Sequence, residues 1–200
     1  MRLYLVRHGE TDWNAARRYQ GQSDVPLNHT GIQQARKIAR RLSKEKIDAI
    51  YSSDLSRARE TAEQIAQPHE LKVTTDVRWR ELSFGDWEGL TYPEIQAKAP
   101  DELARWESDL AQYAPPHGET LTQLAGRVLS AFDELRTPHA DQTVLIVSHG
   151  GPLQILLCHA LGVTFQRHWQ FPILQTALSV LSLYPEGAIL ELFNDTSHLS

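Results

Sequence analysis

The chain has 200 residues and carries 20 Lys and Arg against 25 Asp and Glu, which gives a formal charge of −5. With 41% hydrophobic and 22% charged residues, its composition is that of a globular protein and excludes a disordered or fibrous chain. The net acidity argues against nucleic acid or an anionic membrane surface as a partner.

Cysteine usage and the apolar segments bear on the compartment. The single cysteine, Cys158, excludes an internal disulfide. Residues 142–166 contain no Asp, Glu, Lys or Arg, but the sequence SHGGP at 148–152 interrupts this segment. We therefore interpret it as a buried strand, a loop and a helix rather than a membrane span. The N-terminal apolar run is too short for a signal peptide, and we expect a cytoplasmic protein.

In the first part of the chain, short apolar runs alternate with amphipathic segments. Thr30 and Gln33 have the spacing of a capping box, which predicts the start of a helix whose apolar stripe ends at Leu42. A second helix is predicted over 55–67, ended by Pro68. Predicted strands occupy Leu3–Val6, Asp48–Tyr51 and Leu71–Thr75.

The middle segment, 79–118, is less regular and rich in aromatic residues, among them Trp79, Phe84, Trp87, Tyr92 and Trp106. After it, Thr120 and Gln123 form another capping box, which opens a helix through Leu135. The last predicted elements are a strand at Val144–Val147, a helix at 152–161 and a hairpin of Leu178–Leu183 and Ile189–Phe193.

This alternation of strands and helices predicts an α/β fold built largely on a parallel sheet. No linker divides the chain, so we expect one domain over residues 1–200, with 79–118 inserted as a lid or subdomain. The apolar hairpin at the end of the chain is a candidate contact surface for a homodimer.

Two predicted strands end in the same way. LYLVRHGE at 3–10 and VLIVSHGG at 144–151 each place a histidine and then a glycine after an apolar run. Because ligands bind outside the carboxyl ends of parallel strands, we expect His8 and His149 to share a site. The following glycines would let the backbone turn sharply and approach a ligand closely. Either histidine alone could equally serve as a structural residue at a strand end.

Two arginines are predicted at the same edge of the sheet. Arg7 precedes His8, and Arg57 lies in the first turn of the helix after the second strand, whereas Arg59 lies on another face of that helix and is expected to be solvated. Guanidinium and imidazole groups around one crevice would donate charge-assisted hydrogen bonds to a dianion, and a phosphoryl group suits them. Two arginines beside a metal ion would be unfavourable, and we expect no metal.

LVRHGET at 5–11 resembles the signature of the histidine phosphatase superfamily, branch 1, whose members include phosphoglycerate mutase-like enzymes. The segments that match in order are Asn14, Gln20-Gly21, SSDLSRARETA at 52–62, RELSFGDWEG at 80–89, HGET at 117–120 and VSHGG at 147–151. The resemblance covers essentially the whole chain. It implies a three-layer α/β/α sandwich with a mostly parallel mixed sheet, and a phosphatase that needs neither a metal nor a cofactor.

The resemblance also implies a role for each matching residue. His8 would attack phosphorus and become a phosphohistidine, while Arg7, Arg57 and His149 would bind the phosphoryl oxygens. Glu81 matches the general acid and base of the family, although a surface glutamate in a loop is the alternative. The expected substrate-binding residues are Asn14, Gln20, Gly21 and Gly150.

The resemblance leaves the reaction and the substrate open. Mutases of this family are longer and bind a second anionic group through extra basic residues, whereas only Lys98 and Arg105 lie between Glu81 and Thr120 here. Hydrolysis of a small phosphate ester is therefore favoured over a phosphoglycerate mutase activity, and a non-catalytic phosphate-binding regulator is a further alternative. We expect none of the arginines other than Arg7 and Arg57 to bind phosphate.

The segment FGDWEGLTYPEI at 84–95, with the short connection to HGET, looks most like α-ribazole phosphatases and their broad-specificity relatives. Trp87, Trp106 and Tyr113 would either pack on a bulky leaving group or form a small core within the lid.

Overall fold

The computed structural model describes all 200 residues and contains one six-stranded sheet. The strands are β1 (Arg2–Arg7), β2 (Ala49–Ser52), β3 (Val73–Thr75), β4 (Thr143–Ser148), β5 (Leu178–Tyr184) and β6 (Gly187–Asp195). Their order in the sheet is β3-β2-β4-β1-β5-β6, with β1 to β4 mutually parallel and β5 and β6 antiparallel to their neighbours. The predicted mixed, mostly parallel sheet is confirmed.

Seven α-helices surround this sheet. They are α1 (Asp12–Ala15), α2 (His29–Leu42), α3 (Ser56–Ala66), α4 (Tyr92–Lys98), α5 (Pro100–Ser108), α6 (Leu121–Arg136) and α7 (Gly150–Ala160). Short 3-10 helices lie at Gln67–His69, Val77–Trp79, Gly85–Trp87, Phe165–Gln170 and Ser197–Leu199.

The sheet separates two hydrophobic cores, which makes the architecture a three-layer α/β/α sandwich. On one face, Leu3 and Leu5 of β1 pack with α6 and α7, and on the other, Tyr4 and Val6 pack with α2 and α3. Both faces of the central strands are therefore buried, as expected for parallel strands between two helical layers. This burial explains why β1 and β4 are short continuous apolar runs in the sequence.

The start of α2 differs from the prediction. The helix begins at His29, and the residue that caps it is Asn28, whose Oδ1 accepts a hydrogen bond of 2.8 Å from the backbone N–H of Gly31. Asn28 also donates from Nδ2 to Glu10 at 2.9 Å, so it ties the helix to the loop after β1. The capping box predicted at Thr30 is wrong because this contact with Glu10 selects the earlier cap. The capping box at Thr120 is confirmed.

Other element boundaries shift by a few residues. Helix α3 ends at Ala66, and the chain continues as a 3-10 turn through Pro68, which the first turn of a helix tolerates. Helix α7 begins at Gly150, two residues before the prediction. The C-terminal hairpin is confirmed, with Pro185-Glu186 as its two-residue turn.

The segment predicted as a lid contains α4 and α5 and a small core of its own, formed by Trp87, Ile95, Leu103 and Trp106. Trp79 does not belong to it, because that residue is buried in the main core beneath α6. The packing of Trp87 against Trp106, edge to face at 5.4 Å between ring centres, gives this core its centre. Of the two predicted roles, the formation of a small core within the lid is therefore confirmed for both tryptophans.

Two observations concern the outer surface. Strand β6 lies at the edge of the sheet and exposes Ile189 and Phe193, and the homodimer contact foreseen there stays a prediction. None of the helices combines the length and the apolar character that crossing a bilayer requires.

The capping of α2 gives a first test. Replacing Asn28 with alanine should lower the free energy of unfolding by about 1–2 kcal/mol, since the cap and the bond to Glu10 are both lost. Replacing Thr30, which is exposed and does not cap the helix, should change it by no more than about 0.5 kcal/mol. Urea unfolding followed by circular dichroism measures both, and equal losses would contradict the assigned cap.

Candidate active site

The fold brings the ends of β1 and β4 together at a topological switch point. The two strands are neighbours in parallel register, with Arg7 opposite Ser148, and the helices that follow them, α2 and α7, pack on opposite faces of the sheet. Such a reversal opens a crevice at the carboxyl edge of the strands. A cavity of about 340 Å³ lies there.

His8 lies in this cavity with one ring nitrogen already occupied. Its Nδ1 is 2.7 Å from the carbonyl oxygen of Gly9, which can only accept, so Nδ1 carries the proton and Nε2 keeps its lone pair. Burial, together with the positive charges of Arg57 and Arg7, holds the pKa of His8 well below its usual range. The imidazole is therefore neutral at neutral pH, as a nucleophile must be.

His149 is the second imidazole of the crevice. Its ring centre lies 5.0 Å from that of His8, and neither of its nitrogens has a hydrogen-bond partner in the protein although the side chain is fully buried. Burial and the charge of Arg57 hold the pKa of His149 well below its usual range. Buried polar groups are normally paired, so an unpaired imidazole here indicates a place for a ligand atom.

Arg57, which is buried, and Arg7, which is half-buried, lie beside the two histidines without a carboxylate partner. Arg57 donates to the backbone carbonyls of Gly21 and Ser23, at 2.8 and 2.7 Å, and burial lowers its pKa to about 10. Arg7 donates to the carbonyl of Ile173 at 2.6 Å. The Nε of each arginine has no protein partner, which leaves two charged donors in the crevice for an anion.

The cavity is also lined by three of the four predicted substrate-binding residues. Asn14 uses its Oδ1 for the backbone N–H of Thr11, the Oε1 of Gln20 is buried without a partner, and Gly21 completes the lining. The fourth, Gly150, lies instead in a neighbouring apolar cavity.

Glu81 reaches this crevice from the irregular start of the segment 79–118, before α4. One carboxylate oxygen accepts hydrogen bonds from the backbone N–H groups of Leu82, at 2.8 Å, and Gly151, at 3.1 Å, so the carboxylate sits at the N-terminus of α7. A side chain at Gly151 would come within 2.4 Å of that oxygen, which explains the glycine there. The carboxyl group lines both the polar and the apolar cavity.

The glycine after His8 lies against a neighbouring helix. A Cβ at Gly9 would lie 2.5 Å from the carbonyl oxygen of Gly31, so the absent side chain allows the loop to approach α2. The contact with α2 accounts for the glycine, and its close approach to a ligand stays a prediction.

Arg127 of α6 is a site residue that the sequence did not reveal. It donates to the carbonyls of Arg78, Arg80 and Glu81, at 2.6 to 2.8 Å, and binds the carboxylate of Glu119. The loop that carries Glu81 is thus fixed by one guanidinium, which makes Arg127 a positioning residue for that carboxyl group.

Glu88 has a comparable role for Arg57. Its carboxylate accepts from the backbone N–H groups of Gln22 and Ser23, both at 2.9 Å, and from that of Phe84 at 3.1 Å. These bonds hold the loop whose carbonyl oxygens bind Arg57. Of the glutamates near the site, Glu88 is therefore structural, while Glu81 faces the crevice.

Two further arginines, Arg17 and Arg18, line the polar cavity, which the sequence did not lead us to expect. Arg18 donates to the carbonyl of Gly89 at 2.6 Å and to Glu94 at 3.0 Å, so it joins α1 to the lid. Arg59, by contrast, is exposed as predicted.

The apolar cavity adjoins the polar one and has a volume of about 450 Å³. Its apolar lining includes Leu82, Phe84, Trp106, Leu110, Leu124 and Ile173. Because Arg7, Glu81 and Phe84 line both cavities, a ligand anchored by the arginines can extend past Glu81 into an apolar environment. Tyr113 is not among its lining residues and instead lies against the guanidinium of Arg105.

Comparison with known families agrees with this geometry. A family profile described as the histidine phosphatase superfamily (branch 1) matches residues 3–196. The chain belongs to this superfamily. Among its relatives, phosphoserine phosphatase 1 of Hydrogenobacter thermophilus is 36% identical over all of this chain and 94% of its own length. Phosphoglycerate mutase-like protein 4 of Arabidopsis thaliana is 38% identical over 98% of this chain and 86% of its own length.

Solved structures of other members share the fold of this histidine phosphatase. YhfR of Bacillus stearothermophilus superposes with a TM-score of 0.91 at 34% identity, covering 100% of this chain and 99% of its own. The α-ribazole phosphatase of Shigella flexneri also has a TM-score of 0.91, at 30% identity, over 98% and 96% of the two chains.

The electrostatics of the crevice predict a measurable titration. Replacing Arg57 with glutamine should raise the pKa of His8 toward its ordinary value of about 6.5, because a positive charge that opposes protonation is removed. In the unmodified protein, His8 should stay neutral as the pH falls through that value. NMR of the histidine ring signals follows both titrations, with Arg59→Gln as the control on the exposed face of the same helix. An unchanged titration of His8 in Arg57→Gln would contradict the assigned cause.

Proposed function

We propose that this member of the superfamily hydrolyses small phosphate monoesters through a phosphohistidine at His8. The observation that carries the proposal is the free Nε2 lone pair of a neutral imidazole, placed beside two guanidinium groups that have no carboxylate partner. A phosphoryl dianion fits the two arginines, and its phosphorus would then face the nucleophile.

In the first step, Nε2 of His8 forms a bond to phosphorus while the ester P–O bond breaks. Arg7, Arg57 and His149 bind the phosphoryl oxygens, whose negative charge they stabilise during transfer. Asn14 and Gln20 lie in the same lining and offer further polar contacts to those oxygens.

Glu81 is the proposed acid and base. It gives a proton to the departing alkoxide, and in the second step it takes a proton from water, which attacks phosphorus and breaks the P–N bond. Its position between the two cavities suits both tasks, because the leaving alcohol and the incoming water use the same side of the phosphoryl group.

We further propose hydrolysis rather than isomerisation, with several alcohols accepted as leaving groups. The apolar cavity past Glu81 supports leaving groups with an apolar part, of which α-ribazole 5′-phosphate is a candidate. The names of the relatives include both phosphatases and a mutase-like protein, so the products formed from 3-phosphoglycerate distinguish the two reactions. Inorganic phosphate supports hydrolysis, and 2-phosphoglycerate supports a mutase.

The nucleophile is tested by trapping the intermediate. The enzyme is allowed to react with a 32P-labelled substrate and the reaction is stopped without acid. The unmodified enzyme should then carry covalent phosphate that is stable in base and labile in acid, and His8→Ala should carry none. Turnover should be abolished in His8→Ala and should fall about 10²-fold or more in Arg57→Ala, whereas Arg59→Ala should keep it. Label of the same stability in His8→Ala would refute the assignment, and a folded enzyme that binds phosphate without turning over any ester would favour a regulator.

The acid is tested by leaving-group dependence. Glu81→Gln should slow hydrolysis of an alkyl phosphate about 10²-fold or more, but should slow p-nitrophenyl phosphate much less, because that leaving group departs without a proton. Arg127→Lys should show the same pattern more weakly, since it loosens the loop that carries Glu81. Equal rates of Glu81→Gln and the parent enzyme on alkyl phosphates would remove the acid role.

A further inference from the structure

Arg17 places a cation at the polar cavity that no protein group neutralises. Its side chain is exposed, lines the cavity with Arg7 and Arg57, and makes neither an ion pair nor a hydrogen bond, whereas the neighbouring Arg18 is paired with Glu94. Arg17 lines the polar cavity but not the apolar one.

The backbone at Arg17 adopts a conformation that favours glycine. Its φ is +55°, and it occupies the position after the C-cap of α1, where its N–H donates to the carbonyl of Asn14 and the N–H of Arg18 donates to that of Trp13. This pair of bonds defines a Schellman motif, in which a glycine avoids the strain of a side chain. A long charged side chain is therefore held in a strained position beside the site, as is common for functional residues.

Among the charged side chains that line the polar cavity, one positive charge has no partner. The four arginines that line it face a single acidic residue, Glu81. The pairing of Arg18 with Glu94 removes one charge, and a phosphoryl dianion would match Arg7 and Arg57. Glu81 accepts hydrogen bonds from the backbone N–H groups of Leu82 and Gly151, so Arg17 is the arginine of this lining that has neither a partner in the protein nor a place on the phosphoryl group.

We propose that Arg17 binds a carboxylate carried by the leaving group of the substrate, and that it is a specificity-determining residue. The inference rests on the proposed function, which places a phosphoryl group at Arg7 and Arg57. A carboxylate has one negative charge, which would neutralise Arg17, and a planar pair of oxygens, which a guanidinium group can bind with two hydrogen bonds. Apolar leaving groups would then lie in the apolar cavity beside Trp106, and leaving groups that carry a carboxylate would lie in the polar cavity beside Arg17.

Equilibrium binding tests this inference without turnover. In the His8→Ala enzyme, isothermal titration calorimetry would compare 3-phosphoglycerate with glycerol 3-phosphate, which lacks the carboxylate. We expect the first ligand to bind about fivefold more tightly, the scale of one exposed charge pair. Adding Arg17→Gly should bring the two dissociation constants together, and adding Arg17→Lys should keep most of the difference.

The glycine substitution also separates a lost contact from lost stability. Arg17→Gly relieves the strained backbone, so its Tm should be no lower than that of the parent. Glu70→Gly is the matched control, because Glu70 has the same φ of +55° and is exposed away from the cavity. It should preserve the preference between the two ligands.

Three results would overturn the inference: equal binding of both ligands before Arg17 is changed, a preference that survives Arg17→Gly, or an equal weakening of both ligands. The last result would show that Arg17 acts on the phosphoryl group itself. Absence of hydrolysis by the unmodified enzyme would count against the proposed function but would not change the binding preference, which is measured without turnover.

Discussion

Two guanidinium groups, that of the buried Arg57 and that of the half-buried Arg7, lie at the carboxyl edge of the sheet with only backbone carbonyl oxygens as partners. Removing a charge from water is unfavourable unless other groups compensate for it. The three carbonyl oxygens carry only partial negative charges, so they compensate incompletely for the two full positive charges of Arg7 and Arg57. Much of the surrounding structure serves to hold those carbonyls in place, as the bonds from Glu88 to the loop at 21–23 illustrate. Burial and the remaining positive potential together lower the pKa of both imidazoles, and the same potential favours a dianion beside them.

The fold follows from signals that are local in the sequence. Strands β1 and β4 are apolar runs because both of their faces are buried, and the end of each run places a histidine at the edge of the sheet where ligands bind. The box at Thr120 marks the start of α6 because both of its partners lie within one turn. A similar signal, Thr91 with Glu94 and a proline in the first turn, could have revealed α4.

The missed features depend on contacts between distant residues. Thr30 and Asn28 are both suitable helix caps, and the bonds of Asn28 to Glu10, from its side chain and from its backbone N–H, favour the earlier one. Arg127 touches residues 46 or more positions away through backbone carbonyls, which leave no pattern in the sequence. The place of Arg17 beside the cavity likewise depends on how the turn after α1 pairs with residues 89–91, which are distant in the sequence.

The uncompensated charge of Arg7 and Arg57 has a consequence for the end of the reaction. Inorganic phosphate is also a dianion and can use the same donors as the ester. The two cations therefore cannot distinguish substrate from product, and both compete for one pocket. Only the ester carries an alcohol group, so the contacts of that group with the side chains lining the two cavities decide how well the ester competes with inorganic phosphate during turnover.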